Sequence, residues 1–263
     1  MRKLDRTTFW VAALTAVCAM GLTPANGAEF GYTAKGGTVP PVDWGEISQT
    51  CQAGNSQSPI AISTLLADPS SGLEAPAIHY GTSNLIVFNN GHTIEAEVEE
   101  GTAEIEIDGT VYDLIQFHIH WASEHFIDGE LYPAELHLVH RDHEGHLAVL
   151  GSLLRYGNKN SKLNPFFQAA TKLPHADDET EVHDFDLNRL VPEHATGFYH
   201  YSGSLTTPPC SEGVSWWVWD ATRTVSRAQL DNIRIGVPRD HNPQGNRRPV
   251  QGLNGRDLYW VSN

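Results

Sequence analysis

Alternating apolar and polar side chains, punctuated by Asn-Gly and Asp-Gly pairs, constrain this chain more than any other feature. Leu85-Ile86-Val87-Phe88 runs into Asn89-Asn90-Gly91, and His92-Thr93-Ile94-Glu95-Ala96-Glu97-Val98 follows. Ala103-Glu104-Ile105-Glu106-Ile107 alternates strictly, Asp108-Gly109 offers a turn, and Thr110-Val111-Tyr112-Asp113-Leu114 resumes the pattern. Such dipeptides tolerate the positive φ of two-residue hairpin turns, so each predicts an antiparallel hairpin. Residues 147–154 and 214–219 are continuous apolar runs, the pattern of strands buried on both faces. Helical signals are short, around residues 165–172 and 227–233, and Asp43-Trp44 begins a helical turn within a Gly- and Pro-rich arm spanning residues 29–57. No repeat, low-complexity tract or linker interrupts the 263 residues, so one β-dominated domain is expected.

The N-terminus is of another kind. Met1-Arg2-Lys3-Leu4-Asp5-Arg6 precedes a mainly apolar run from Phe9 to Leu22, and small residues follow through Ala28. A basic start, a short apolar stretch and small residues make a secretory signal peptide over residues 1–28, leaving residues 29–263 as the mature domain without a membrane anchor. The run of 14 residues falls short of the ~20 that span a bilayer. Export implies a periplasmic or secreted protein. It also removes Cys18, leaving Cys51 and Cys210 in an oxidising compartment, where a disulfide is expected; two buried free thiols are the alternative. The whole chain carries 17 Lys+Arg against 32 Asp+Glu, a formal charge of -15 that disfavours nucleic-acid binding.

Fourteen histidines are unevenly placed, seven of them between His118 and His146. In Gln116-Phe117-His118-Ile119-His120-Trp121, strand geometry sends His118 and His120 to one face and Phe117, Ile119 and Trp121 to the other. Asp128-Gly129 permits a reversal, and Ala134-Glu135-Leu136-His137-Leu138-Val139-His140 can return alongside with His137 on the histidine face. Three imidazoles with an open fourth position are a catalytic zinc arrangement, for which carbonic anhydrase is itself the reference example. Gln116 and Glu135 each lie two residues before a ligand and could orient it, as carboxylates and carbonyls do at metal-bound histidines. His140, His143 and His146 are expected at a solvated hairpin end instead.

These motifs resemble the signature of an α-class carbonic anhydrase of exported bacterial type. The likeness includes Gln116 through Trp121, Ser123-Glu124-His125, Glu135 through Val139, Gly203-Ser204-Leu205-Thr206-Thr207-Pro208-Pro209, Gln57-Ser58-Pro59-Ile60 and Asn89-Asn90-Gly91-His92. It extends from about Phe30 to Arg256, nearly the whole mature chain. The resemblance implies a large, mostly antiparallel central sheet with short peripheral helices, and reversible hydration of CO2 to bicarbonate and a proton by zinc-bound hydroxide. It implies Zn²⁺ on His118, His120 and His137, and Thr206 as a gatekeeper between Glu124 and the hydroxide. Val139, Val149, Leu205, Val214 and Trp216, with Thr207 beside them, would line the CO2 pocket. Asn246 would orient His120 through its carbonyl, and His92 would shuttle protons along water ordered by Tyr32 and Asn90. The disulfide pairing of Cys51 with Cys210 and a homodimer are further family-level expectations.

Glu95 departs from the family's usual amide, and a carboxylate there could raise the shuttle's pKa or perturb its water chain. Two other readings compete. His118-x-His120-x₃-Glu124 also resembles the metal motif of cupin-type oxygenases, although Tyr112 and Leu131 stand where glycines are expected. A non-catalytic zinc-binding protein on the same fold is the other.

Overall fold

The computed structural model describes residues 29–69, 72–235 and 245–263; the expected signal peptide, residues 1–28, lies outside them. The alternating stretches become one 13-stranded sheet. Its main path runs Glu179–Asp186, Thr82–Asn89, Ile94–Val98, Thr110–His120, Ala134–Arg141, Leu147–Tyr156, Glu212–Trp219, Gly197–Ser204, Tyr259–Ser262 and Asp68–Pro69. Most neighbours are antiparallel; Leu147–Tyr156 pairs in parallel with Glu212–Trp219 and Arg223–Val225, and Tyr259–Ser262 does so with Asp68–Pro69. Two of the expected turns are visible in the backbone. Asp108 and Gly109 have φ of 50° and 76°, and Asp128 and Gly129 have 48° and 80°, the left-handed pairs that match the twist of adjoining strands.

Alternation then sorts the side chains. Phe117, Ile119, Leu136 and Leu138 enter the main core, joined by Phe166 and Phe167 of helix Asn164–Ala170 and by Leu230 and Ile233 of helix Arg227–Ile235. Each such buried side chain contributes about 1.5–3 kcal/mol by leaving water. The intervening residues, His118, His120, His137 and Val139, therefore occupy the opposite face of the same two strands. Register sets them side by side, since His137 is paired with His118.

His140 departs from expectation. It is fully buried rather than solvated, because the position continues the Leu136–Leu138 row toward the core; its Nε2 lies 2.6 Å from the Tyr80 hydroxyl. Only beyond it does the hairpin end reach solvent, where His146 pairs with Asp142. The Gly- and Pro-rich arm is also more regular than expected, holding a 3₁₀ turn at Pro41–Glu46 and a helix at Gln49–Ala53. Cys51 and Cys210 form the disulfide, with Cα atoms 5.0 Å apart, and pack in a small cluster with the fully buried Trp44.

Candidate metal centre

His118 and His120 present their Nε2 atoms to each other at 3.1 Å. The other nitrogen of each ring is engaged elsewhere: His118 Nδ1 donates to Gln116 Oε1 at 2.8 Å, and His120 Nδ1 donates to the Asn246 carbonyl at 2.5 Å. With both Nδ1 protons committed, two bare lone pairs face one another, an arrangement that is repulsive unless a cation lies between them. His137 completes the set, with one ring nitrogen from each of the three residues lying within 4.8 Å of the others. Burial lowers the pKa of all three, His118 well below the ordinary imidazole value with His120 and His137 adding to the effect. Neutral imidazoles are the form that binds a metal. The donor set thus fits a zinc ion, which His118, His120 and His137 would hold through one ring nitrogen each.

Glu135 holds the third histidine and more. Its Oε1 lies 3.1 Å from His137 Nε2 and 2.7 Å from His125 Nδ1, while Oε2 accepts the backbone N–H groups of Glu124 and His125. Burial pushes its pKa up, but His125 and then His137 outweigh this and hold it well below the carboxylate range. His125 Nε2 meets the Tyr201 hydroxyl at 2.7 Å, and that hydroxyl donates to Ser58 Oγ at 2.9 Å. His125, Glu135 and His137 also lie close enough to form a metal-binding group, but both nitrogens of His125 are spent on hydrogen bonds. His125, Tyr201 and Ser58 had no assigned role in the sequence, although His125 and Ser58 stand inside its quoted motifs.

Asn246 does more than its carbonyl predicted. Its Oδ1 accepts from Trp121 N, its Nδ2 donates to the His92 carbonyl, and its own N–H donates to Trp121 O. The close approach depends on Gly245, at φ +94°, where a Cβ would stand 1.8 Å from the Trp121 carbonyl oxygen.

Glu124 is fully buried, and burial raises its pKa to about 7 against the lowering effects of His137, the Arg248 N–H and the Thr206 hydroxyl. Arg248 N donates to its Oε1 at 2.8 Å, and Oε2 lies 3.5 Å from His120 Nε2. The Arg248 side chain, also absent from the sequence reading, binds Gln57 Oε1 and the carbonyls of Ser58 and Cys51. Beside the histidines, Val139, Val149, Val214 and Trp216 share one apolar cluster with Leu205 packed against it. The Trp216 ring stands edge-on to His137 at 4.9 Å between centroids. Thr207 accepts the Cys210 N–H, closing the turn that carries Thr206.

His92 lies on the far side of Asn246. Asn90 Oδ1 accepts the N–H groups of His92 and Thr93, and Asn90 Nδ2 donates to Glu95 Oε2 at 3.2 Å. Tyr32 has a raised pKa from burial, with the charge of Glu124 adding to it. Glu95 is buried, which raises its pKa to about 7, but the carboxylate acting on His92 is that of Glu29.

Comparison with known proteins agrees with this geometry. The model of the eukaryotic-type carbonic anhydrase family matches residues 40–262. Carbonic anhydrase from Klebsiella pneumoniae is 38% identical over 257 residues, covering 95% of this chain and 98% of its own. That from Neisseria gonorrhoeae is 35% identical over 261 residues, covering 97% and 96%. The α-carbonic anhydrase from Thermovibrio ammonificans, solved in complex with the inhibitor sulfanilamide, superposes with a TM-score of 0.79 at 36% identity over 88% of this chain and 99% of that one. The chain belongs to the eukaryotic-type, or α, carbonic anhydrase family of enzymes.

Proposed function

We propose that this enzyme hydrates CO2 reversibly to bicarbonate and a proton with Zn²⁺ held by His118, His120 and His137. The single observation that carries the proposal is the pair of facing Nε2 atoms, 3.1 Å apart, whose Nδ1 partners leave both lone pairs bare. Zinc held there would supply Lewis-acid chemistry, lowering the pKa of a bound water to about 7; carbonic anhydrase is itself the reference case for that value.

The remaining roles belong to the chain's own residues. Thr206 donates its hydroxyl proton to Glu124, which keeps the hydroxyl oxygen free to accept from the nucleophile and turns a lone pair toward CO2. A cation held by the three histidines would counteract the burial of Glu124 and favour the ionised carboxylate that this requires. CO2 has no charge to grip, so the apolar wall of Val139, Val149, Leu205, Val214 and Trp216 holds it, with Thr207 at the edge. Gln116, Glu135 and the Asn246 carbonyl fix the ligand rings. His92 carries the product proton toward buffer, with Tyr32 and Asn90 ordering the intervening water.

A cupin-type oxygenase reading needs Glu124 as a ligand, yet the close group of donor atoms comprises the three histidines, and the carboxylate is occupied by Arg248 and Thr206. A periplasmic or secreted location is supported by the sequence of residues 1–28 and by the disulfide. Among the described residues, no helix is long and apolar enough to cross a membrane. Loading the protein separately with zinc and with iron, then following CO2 hydration by stopped flow, tests the proposal. One zinc per chain with rapid hydration supports it; binding of iron alone, without hydration in either form, refutes it.

A further inference from the structure

The side chain of His92 rests against the arm that precedes the first helical turn. Its ring stacks on Phe30 with centroids 3.9 Å apart and planes within 16°, and its Nε2 lies 3.9 Å from Glu29 Oε1. The arm itself is fixed. Phe30 stands edge-on to Trp44 at 5.7 Å, Gly31 N donates to Val39 O, Val39 N donates to Glu29 O, and the buried Trp44 Nε1 donates to Val39 O. On the other side, the His92 backbone is pinned by Asn90 and Asn246.

We infer that Glu29 is a positioning residue for proton transfer, holding the outer edge of the His92 ring on its Phe30 seat and steadying the ring while it carries the proton. The inference rests on His92 acting as the shuttle. A ring laid flat on an aromatic surface loses hydration, which disfavours its charged form. Burial lowers the His92 pKa, and the Glu29 charge opposes that shift. Phe30, Asn90 and Asn246, the other groups bound or stacked against His92, carry no charge; among the described residues Glu29 supplies the only charged partner. A shuttle must accept and release protons near neutrality, so a partner that restores protonation without burying the ring completely suits the task. Glu29 remains 72% exposed, which keeps the interaction weak enough for the proton to leave.

The experiment compares wild type, Glu29→Gln, Glu29→Asp and His92→Ala. The His92 ring is titrated by NMR, and CO2 hydration is followed in weak and strong buffer. Glu29→Gln is expected to lower the His92 midpoint by about 0.2–0.7 of a pH unit, the range for an exposed ion pair. Turnover in weak buffer should fall about 2–3-fold by the same argument, kcat/KM should be retained, and Glu29→Asp should recover part of the loss. If His92→Ala slows turnover in weak buffer while Glu29→Gln leaves both midpoint and turnover unchanged, this inference is overturned and the shuttle stands. If His92→Ala leaves the buffer dependence unchanged, the shuttle assignment itself fails, and the inference fails with it.

Discussion

At the scale of single residues, the atom behind each histidine decides what its ring can do. Gln116 Oε1 takes the Nδ1 proton of His118 and leaves Nε2 bare toward His120. Gln116→Ala keeps the ring but frees its tautomer and rotation, so zinc affinity should fall about 10–100-fold, read by competition with a chelator. Retention of wild-type affinity would show that the strand alone orients His118. Gln116 and Glu135 were legible because a strand repeats every two residues, which puts an orienting side chain beside its histidine. His125 was not, because its partners Glu135 and Tyr201, and Ser58 behind Tyr201, come together only in the folded chain. The side-chain grip of Asn246 was hidden for the same reason: Trp121 and His92 are far away in sequence, and Gly245 declares its close approach only once the backbone is seen.

At the scale of elements, the three histidines proposed as ligands ride on the antiparallel pair Thr110–His120 and Ala134–Arg141. The sequence announced this pair through its alternation. Of its Asp-Gly turns, Asp108-Gly109 leads into the first of the two strands, whereas Asp128-Gly129 joins Phe126–Ile127 to Glu130–Leu131 in a separate three-stranded sheet rather than joining the pair directly. Edge strand Glu179–Asp186 was less readable. Glu179, Glu181, His183 and Asp184 are charged or titratable side chains on a strand that pairs on one side, and the register shifts between Val182 and Phe185. Charged side chains protect an exposed edge from further pairing, and in doing so they erase the strand signal. The Thr206 turn depends on a different element, the crosslink. Cys210 N donates to the Thr207 carbonyl, Leu205 N donates to Ser211 O, and the disulfide ties the turn to helix Gln49–Ala53 across a sequence separation of 159. Cys210→Ser should cost about 2–5 kcal/mol of stability, measured by denaturant unfolding. Its kcat should also fall because Thr206 loses its anchor; full activity in a destabilised variant would separate the crosslink from the catalytic turn.

At the scale of the molecule, buried titratable groups set how folding responds to pH. His140 sits in the core with its pKa lowered by burial to about 3. The unfolded imidazole binds a proton near pH 6.5, as any free histidine does. The unfolded chain therefore takes up a proton first as the pH falls: this contribution to stability is complete above pH 6.5 and is lost progressively down to about 3. Glu95 and Glu124 act oppositely in metal-free protein, because their pKa values are raised to about 7 and the folded state holds their protons more tightly. Comparison with His140→Gln isolates the histidine. Between pH 7 and pH 4, wild type should lose about 3 kcal/mol more than the variant, and parallel stability curves would rule this out. The lone histidine at the end of an alternating strand looked solvated in sequence because nothing local reveals Tyr80, the side chain that meets it in the core. The central claim, that three histidines hold the metal on which hydration depends, is tested most directly by stopped-flow CO2 hydration and zinc content measured together on wild type and His137→Ala. The account predicts one zinc per chain and rapid hydration in wild type, with both lost in a variant that still folds; a folded His137→Ala protein that hydrates CO2 at the wild-type rate would contradict it.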